Sequence, residues 1–572
     1  MPRGDFLSSP PPPPAQPPDD FNPLNAAGST PPVPRRTISQ AIDTDALLEG
    51  MTESQRRAVL ATEGPLLVLA GPGSGKTRVI TRRIAHLVSK GVAPWRILAL
   101  TFTNKAAAEM RHRVQGLLGE GAAQRGLTVT TFHSLCVRLL RRYGEMAGFA
   151  ERAILKSDFT VFDADDQAKL IKNVIAELNL STANWPPRTV LSHISNAKND
   201  LMDAEAFAAA AGDFHARTIA RVFTAYQAAL RTNGAADFDD LLLLTARMLR
   251  ESQPVRDELR RRYRYLLVDE YQDTNRAQFV IASLLAGEDP KVAGADRPMP
   301  NICVVGDPDQ SIYGWRGADI TNILQFEERY PSAQVIALGE NFRSRTPILV
   351  VADRLIQRNK QRKHKPLIPT RVGGDKIEIV ITRDEHHEAR LVADWVQRLK
   401  SDGLAPDKPL QWKDFAVFYR TNALSRVVED AFRSAGIPYI LVRGTAFFQR
   451  EEIKNALGYL RVVANPSDSV SLERIINTPA RGISDATWER IAVHSATTGL
   501  PTLQVCRAIE SVPGLTHRAQ IAVRKFLETL DSWLGVAGST DGFMNIPGEP
   551  QRGGLAGLVD RVIKDSGLEK LY

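Results

Sequence analysis

"PLLVLAGPGSGKT", Pro65 to Thr77, decides the fold class. The run "PLLVLA" is short, apolar and bounded by turn residues, as a strand buried on both faces is. Glycines at 71, 73 and 75 then break it, and a helical pattern opens at Lys76. Strand, glycine-rich turn and helix, in that order, form the setting in which backbone N–H groups close on phosphate oxygens. Ala70, Gly71, Pro72, Gly73, Ser74 and Gly75 would make the loop, Lys76 would neutralise β and γ oxygens, and the Thr77 hydroxyl would ligate magnesium. The strict pattern asks for glycine where Ala70 stands; alanine is the smallest side chain after glycine, so the loop should survive the change.

Working outward, further apolar runs recur between helical stretches: "RILALTF" (96–102), "YLLVDE" (265–270) and "NICVVGD" (301–307). Short apolar strands separated by helices predict a doubly wound parallel sheet. Residues from about 150 to 235 are Ala-rich and helical, which predicts an insertion. After residue 335 a second α/β series is expected from "QVIALGENF", "KIEIVIT" and "DFAVFYRT", and beyond about 450 the pattern turns helical again. The stretch "AGEDPKVAGADRPMP" reads as a polar surface loop without visible chemistry.

Residues 1 to about 45 are Pro-rich and poor in large apolar groups, so they cannot bury enough surface to offset their ordering entropy. They read as a solvated, disordered tail whose P-x-x-P spacing offers a protein partner a polyproline segment. The 572 residues carry a formal charge of +8 and a mildly basic balance, a weak pointer to polyanionic partners. Three scattered cysteines without a C-x-x-C pair suggest a reducing compartment and no structural zinc. No apolar run approaches the length of a membrane span and the N-terminus lacks an apolar leader core, which points to a cytoplasmic protein without membrane contact.

Two more stretches carry chemistry. "LLVDEYQD" delivers Asp269 and Glu270 to the carboxyl end of a buried strand, where open α/β sheets bind ligands. Asp269 would hold magnesium and Glu270 would orient and deprotonate an attacking water. "GDPDQSIYGWRG" (306–317) joins an acidic turn and Gln310 to Tyr313, Trp315 and Arg316. A glutamine at a sheet edge beside the phosphates, with aromatics a few residues on, suits an element that senses one ligand and touches another.

These pieces, with "MTESQRRAV", "ILALTFTNKAAAEM", "TFHSL", "DFDDLL", "ENFRSRTPIL", "FYRTNALSRVVEDAF" and "FFQREEIKNALGYLRV", make the chain resemble superfamily 1 DNA helicases of the UvrD/PcrA/Rep type. The resemblance implies an ATP- and Mg2+-dependent 3′-5′ helicase and single-strand translocase, built from two RecA-like domains with a helical insertion in each. It divides the chain into a tail (1–45), the first RecA-like domain (46–150 and 236–335) around an insertion (151–235), part of a second such domain (336–448), and a second insertion (449–572). It implies that Gln55 reads the adenine edge, that Phe342 stacks on the base with Arg78 beside it, and that Arg343 is the arginine finger, with Lys76, Glu270 and Gln310 completing the catalytic set. On the DNA side it implies stacking by Phe102, Phe238, Tyr313 and Trp315 with Arg316 close by, and phosphate contacts from Asn104, Lys105, His133, Arg420 and Asn422. Its substrates would be single strands and single/double-strand junctions. Two later family motifs are absent before "DSGLEKLY", so the second sheet is expected to be incomplete, and a non-unwinding ATP-dependent clamp stands as the alternative.

Overall fold

The computed structural model describes residues 44–118, 126–149, 151–152, 154–289, 299–403, 409–442, 450–538 and 555–572. The proline-rich tail and most of the loop at 287–301 lie outside these residues. The described strands are β1 (Leu66–Ala70), β2 (Ile97–Thr101), β3 (Thr128–Thr131), β4 (Thr160–Val161), β5 (Ala235–Ala236), β6 (Tyr265–Val268), β7 (Asn301–Gly306), β8 (Gln334–Leu338), β9 (Glu340–Arg345) and β10 (Ile368–Arg371).

Six of them form one sheet in the order β3-β2-β6-β7-β1-β8. Every pairing in it is parallel, with Leu66 opposite both Cys303 and Gln334, and Ile97 opposite Tyr265. All residues of β1, β2 and β7 are buried, because a parallel sheet is covered by helices on both faces. Side chains alternate accordingly. Leu67, Leu69, Leu98, Leu100, Val268 and Val304 pack with the helices Phe132–Tyr143, Phe238–Glu251 and Arg276–Ala286. Leu66, Val68, Ile97, Ala99, Cys303 and Val305 face the helices Glu53–Leu60, Lys76–Ser89 and Asn104–Leu118 on the other side.

The sequence marks five of these six strands, β8 among them but assigned to the second series, while β3 emerges from the structure. "QVIALGENF" is divided: Gln334–Leu338 pairs with β1 and completes the first sheet, and only from Glu340 does the chain enter a second, two-stranded ladder of β9 with β10. "KIEIVIT" (376–382) and "DFAVFYRT" (414–421) correct the expectation of strands there. Both run without a ladder, leaving Ile381 95% and Phe418 93% exposed. Alternating apolar residues make a segment competent to be a strand, but a strand exists only where a neighbour takes its backbone groups, and among the described residues none does. The surrounding unit is held instead by the helices Glu385–Asp402 and Ser425–Ser434, packed through Ala393, Val396 and Phe432.

Two all-helical units complete the molecule. Between β4 and β5, which pair at its neck, the helices Ala164–Glu177, Pro187–Asn199, Ala204–Ala210 and Phe214–Thr232 share a core around Phe162, Ile171 and Phe223. From Glu451 onward a second helical unit packs around Tyr459, Phe526 and Trp533. Among the described residues no helix is long and apolar enough to cross a membrane.

Candidate nucleotide cleft and its link to an aromatic shelf

The loop after β1 takes the shape its glycines allow. Gly73 and Gly75 have φ of +66° and +88°, a left-handed backbone that side chains resist. At Gly73 a Cβ would also lie 2.6 Å from Cβ of Arg343, so the close approach of β9 requires glycine twice over. Ser74 Oγ donates to Gly71 O at 2.7 Å, closing the turn. Gln55, almost fully buried, donates through Nε2 to Ser74 O at 2.8 Å while its Oε1 accepts from Thr52 N at 3.2 Å. Both ends of its amide are therefore engaged, Nε2 on the loop and Oε1 in the N-terminal cap of the helix Glu53–Leu60, and reading a base edge would require exchanging these bonds.

A cavity of about 360 Å³ opens beside the loop, lined by Lys76, Thr77, Glu270 and Gln310 from the first sheet and by Phe342 and Arg343 from β9. Arg78 lines it as well, its guanidinium donating to Glu49 O at 3.1 Å. Lys76 Nζ lies 2.9 Å from Glu270 Oε2 and 3.3 Å from Gln310 Oε1. Glu270 stands at the end of β6 with φ +50°, a conformation a non-glycine residue keeps only when its surroundings enforce it. Here they do: its amide donates to Asp269 Oδ1 at 3.0 Å and its carboxylate accepts from Gln272 Nε2 at 2.9 Å. Burial, then the neighbouring Glu270 carboxylate, push Asp269 up to about 7, against the pull of Lys76. A buried carboxyl so disfavoured as an anion is one that a cation would stabilise, and with the Thr77 hydroxyl it offers the hard oxygen donors magnesium prefers.

β9 docks directly on the glycine loop. Phe342 N donates to Gly73 O at 3.0 Å, and Asn341 Nδ2 donates to Pro72 O while its Oδ1 accepts from the amides of Arg343 and Ser344. Arg343 thereby lines the same cavity as Lys76.

The loop after β7 runs from this cleft to a separate surface. Gln272 Oε1 accepts from Asp307 N at 2.9 Å, and Gln310 Nε2 donates to Asp307 Oδ2 at 2.5 Å. Three residues on, the Tyr313 ring lies 4.9 Å from that of Phe102 at 31°, and 6.4 Å from that of Trp315. Trp315 is 74% exposed although it is among the largest apolar side chains. A second aromatic pair lies on neighbouring helices: Phe238, half exposed, has its ring 5.7 Å from His133. Burial lowers His133 to about 4, so the imidazole is neutral at pH 7. Asn104 accepts from Thr131 Oγ1 at 3.4 Å at the edge of the same surface, and Lys105 is exposed next to it.

The sequence comparisons coincide with this geometry. Residues 51–331 match the family model of the UvrD/REP helicase N-terminal domain, and residues 336–511 that of the UvrD-like helicase C-terminal domain. The ATP-dependent DNA helicase PcrA of Bacillus subtilis is 42% identical over 490 residues, 86% of this chain and 63% of the relative. PcrA of Staphylococcus epidermidis is 40% identical over 524 residues, covering 91% of this chain and 67% of the relative. The chain belongs to the UvrD/Rep helicase family.

The ATP-dependent DNA helicase UvrD1 of Mycobacterium tuberculosis is 44% identical over 518 residues, 90% of this chain and 64% of the relative. The chain thus spans about 63 to 67% of the length of these relatives. In this UvrD-family chain Lys76, Thr77, Arg78, Glu270, Gln310, Phe342 and Arg343 line one cleft, while Gln55 and Asp269 are buried beside it, and Phe102, Tyr313 and Trp315 lie on one shelf. Arg420 and Asn422 stand exposed on the unit after β10, with no hydrogen bond described to that shelf. The Arg316 side chain lies outside the described residues.

Several participants escape sequence reading. Gln272 ties Glu270 to the amide of Asp307. Asn341 holds Pro72, and Arg113, from the helix Asn104–Leu118, lines the cleft. Gln272 and Asn341 do sit inside quoted motifs, "VDEYQD" and "ENFRS", but their partners are set by tertiary packing. Arg113 had no signal beyond being one of several basic residues on a helix.

Proposed function

We propose that this chain is the motor portion of an ATP-dependent 3′-5′ DNA helicase, a cytoplasmic enzyme that translocates along single-stranded DNA and opens duplex at single/double-strand junctions. The observation that carries the reading is the loop Asp307–Gly317: one end bonds Lys76 in the cleft through Gln310, and the other stacks Tyr313 on Phe102 beside exposed Trp315. A single short segment thereby touches both the glycine-loop cleft and the aromatic shelf.

In this reading the glycine loop and Lys76 bind the ATP phosphates, with Arg78 and Phe342 flanking the base. Thr77 and Asp269 hold Mg2+, which neutralises developing phosphate charge when bound. Glu270, released from Lys76 once phosphate oxygens take the lysine, accepts a proton from the attacking water, and Gln310 orients that water. Arg343 reaches the γ-phosphate only while β9 sits on the glycine loop, so hydrolysis depends on cleft closure. Each closure moves the Gln310 loop and with it the aromatic shelf. Stacking on aromatics is worth ~1–3 kcal/mol per base and tolerates any sequence, which suits a translocating motor. Asn104 and Lys105 would follow the phosphates, with His133 acting at most as a neutral donor.

ATP turnover of the chain with and without poly-dT tests this, alongside Lys76→Ala and Trp315→Ala. Strong stimulation by the strand is expected, abolished in the first variant and uncoupled from DNA in the second. DNA binding without turnover would replace the motor by an ATP-dependent clamp, and loss of both ATP and strand binding would sink the reading for this polypeptide.

A further inference from the structure

We propose that Lys365 is a positioning residue that sets the Gln310 side chain from across the cleft, so that docking of the second unit, and not nucleotide alone, arms the water-orienting amide. The proposal rests on the function proposed above and adds to it a residue outside the cleft.

Lys365 lies between the helix Thr346–Ile356 and β10, in the unit that follows the first sheet. Its side chain is only 4% exposed, yet it carries a charge, and it is buried against carboxylates of the opposite unit. Nζ lies 2.5 Å from Asp307 Oδ1 and also contacts Asp309 Oδ2, while Arg362 Nη2 reaches the same Asp309 oxygen at 3.0 Å. Asp307 is fully buried. Its second oxygen, Oδ2, accepts from Gln310 Nε2 at 2.5 Å. The amide is thereby oriented with Nε2 toward Asp307 and Oε1 toward Lys76 at 3.3 Å, the face turned to the cleft. The chain of contacts is Lys365, Asp307, Gln310, Lys76, and it crosses from the second unit to the glycine loop. Leu367 lies within 3.5 Å of where a Cβ on Gly71 would stand, so the same segment also rests on that loop.

The physics makes this a switch and not mere adhesion. A carboxylate buried without a partner is strongly disfavoured, whereas one paired to a lysine at this distance and hydrogen-bonded at its other oxygen is tolerated. When the second unit lifts away, Asp307 Oδ1 loses its cation and keeps only the Asp309 amide at 3.0 Å, so the geometry that turns Gln310 Oε1 to the cleft is no longer enforced. Lys365 does not line the cavity and touches no reacting atom; Arg343 and Lys365 are thus two separate reporters of closure, one acting on phosphate and one acting through Asp307 on the glutamine.

Lys365→Met keeps the aliphatic stem and removes the charge, and Lys365→Arg restores the charge. In the full chain with poly-dT, Lys365→Met should lower kcat about tenfold, short of the roughly hundredfold loss typical of a directly acting donor, while KM for ATP and strand affinity change less than about twofold. Lys365→Arg should recover most of the rate. Combined with Gln310→Ala, Lys365→Met should add no further loss, because both act through one amide. Hydrogen exchange supplies a readout independent of turnover: the amides of Asp309 and Gln310 should exchange faster in Lys365→Met and not in Lys365→Arg. Unaltered exchange at those amides, or additive losses in the double variant, would overturn the relay. Absent turnover in the unsubstituted chain would instead count against the parent function, and the exchange result would still decide the relay.

Discussion

His133 shows how one residue's surroundings set what it can offer. A histidine expected to contact phosphate invites the idea of a cation, but burial holds this imidazole at about 4, below the ordinary 6.5. The sign follows directly. A folded-state value below the unfolded one means that the unfolded chain takes up the proton first, so this contribution to stability is intact above about pH 6.5 and is lost as pH falls toward 4. Urea unfolding at pH 7 and pH 5 checks it: the unsubstituted chain should lose about 1–2 kcal/mol more than His133→Gln over that interval. Equal losses in the two proteins would show that the ring is not held neutral by the fold. The buried carboxyl of Asp269 is raised by the same desolvation and contributes with the opposite sign, which is why the comparison must be made between variants and not read from one curve.

At the scale of elements, the difference between a strand and a strand-like sequence becomes measurable. "PLLVLA" and "KIEIVIT" look alike in apolar content, yet β1 lies in the sheet between β7 and β8 while Lys376–Thr382 pairs with nothing described. Leu67→Ala in β1 should therefore cost roughly 2–5 kcal/mol, as a truncation in a closed core does. Ile381→Thr, at a residue 95% exposed, should move the unfolding midpoint by less than about 0.5 kcal/mol. A large effect at Ile381 would mean that the segment is a buried strand after all. The same contrast explains what was legible beforehand. The glycine loop, its lysine and the strand-end Asp269–Glu270 pair could be read because their geometry is written in adjacent residues. β8 could not be assigned to the first sheet, nor Lys365 to Asp309, 56 residues away, because only packing brings such pieces together. The family resemblance supplied Arg343 for the cleft, whereas Gln272 and Asn341 went unnamed because their partners, the Glu270 carboxylate and the Asp307 amide for one and the Pro72 carbonyl for the other, are set by packing and not by local pattern.

Across the whole molecule, the two helical units meet at a polar seam that no local pattern announces. Asn465, buried, donates to Thr160 Oγ1 at 2.9 Å and to Asn233 O at 2.9 Å, bridging the β4–β5 neck of the first unit from the second. Arg461 pairs with Asp166 at 2.6 Å and Lys169 with Glu473 at 2.9 Å, and Val470 of the second unit is counted in the first unit's apolar core. Both ion pairs are at least partly shielded, with Asp166 itself buried, so they couple the two units together with the buried amide and Val470. Asn465→Ala leaves the Asn233 carbonyl without this donor and should cost about 1–3 kcal/mol. The loss should be local. Hydrogen exchange in Ala164–Glu177 and Phe214–Thr232 should quicken, while β1 and β7, sealed in the parallel sheet, keep their protection. Quickened exchange in the sheet as well would mean that the seam supports the parallel-sheet core and not only the contact between the two helical units; unchanged exchange throughout would mean that Val470 and the ion pairs suffice to hold the two units together.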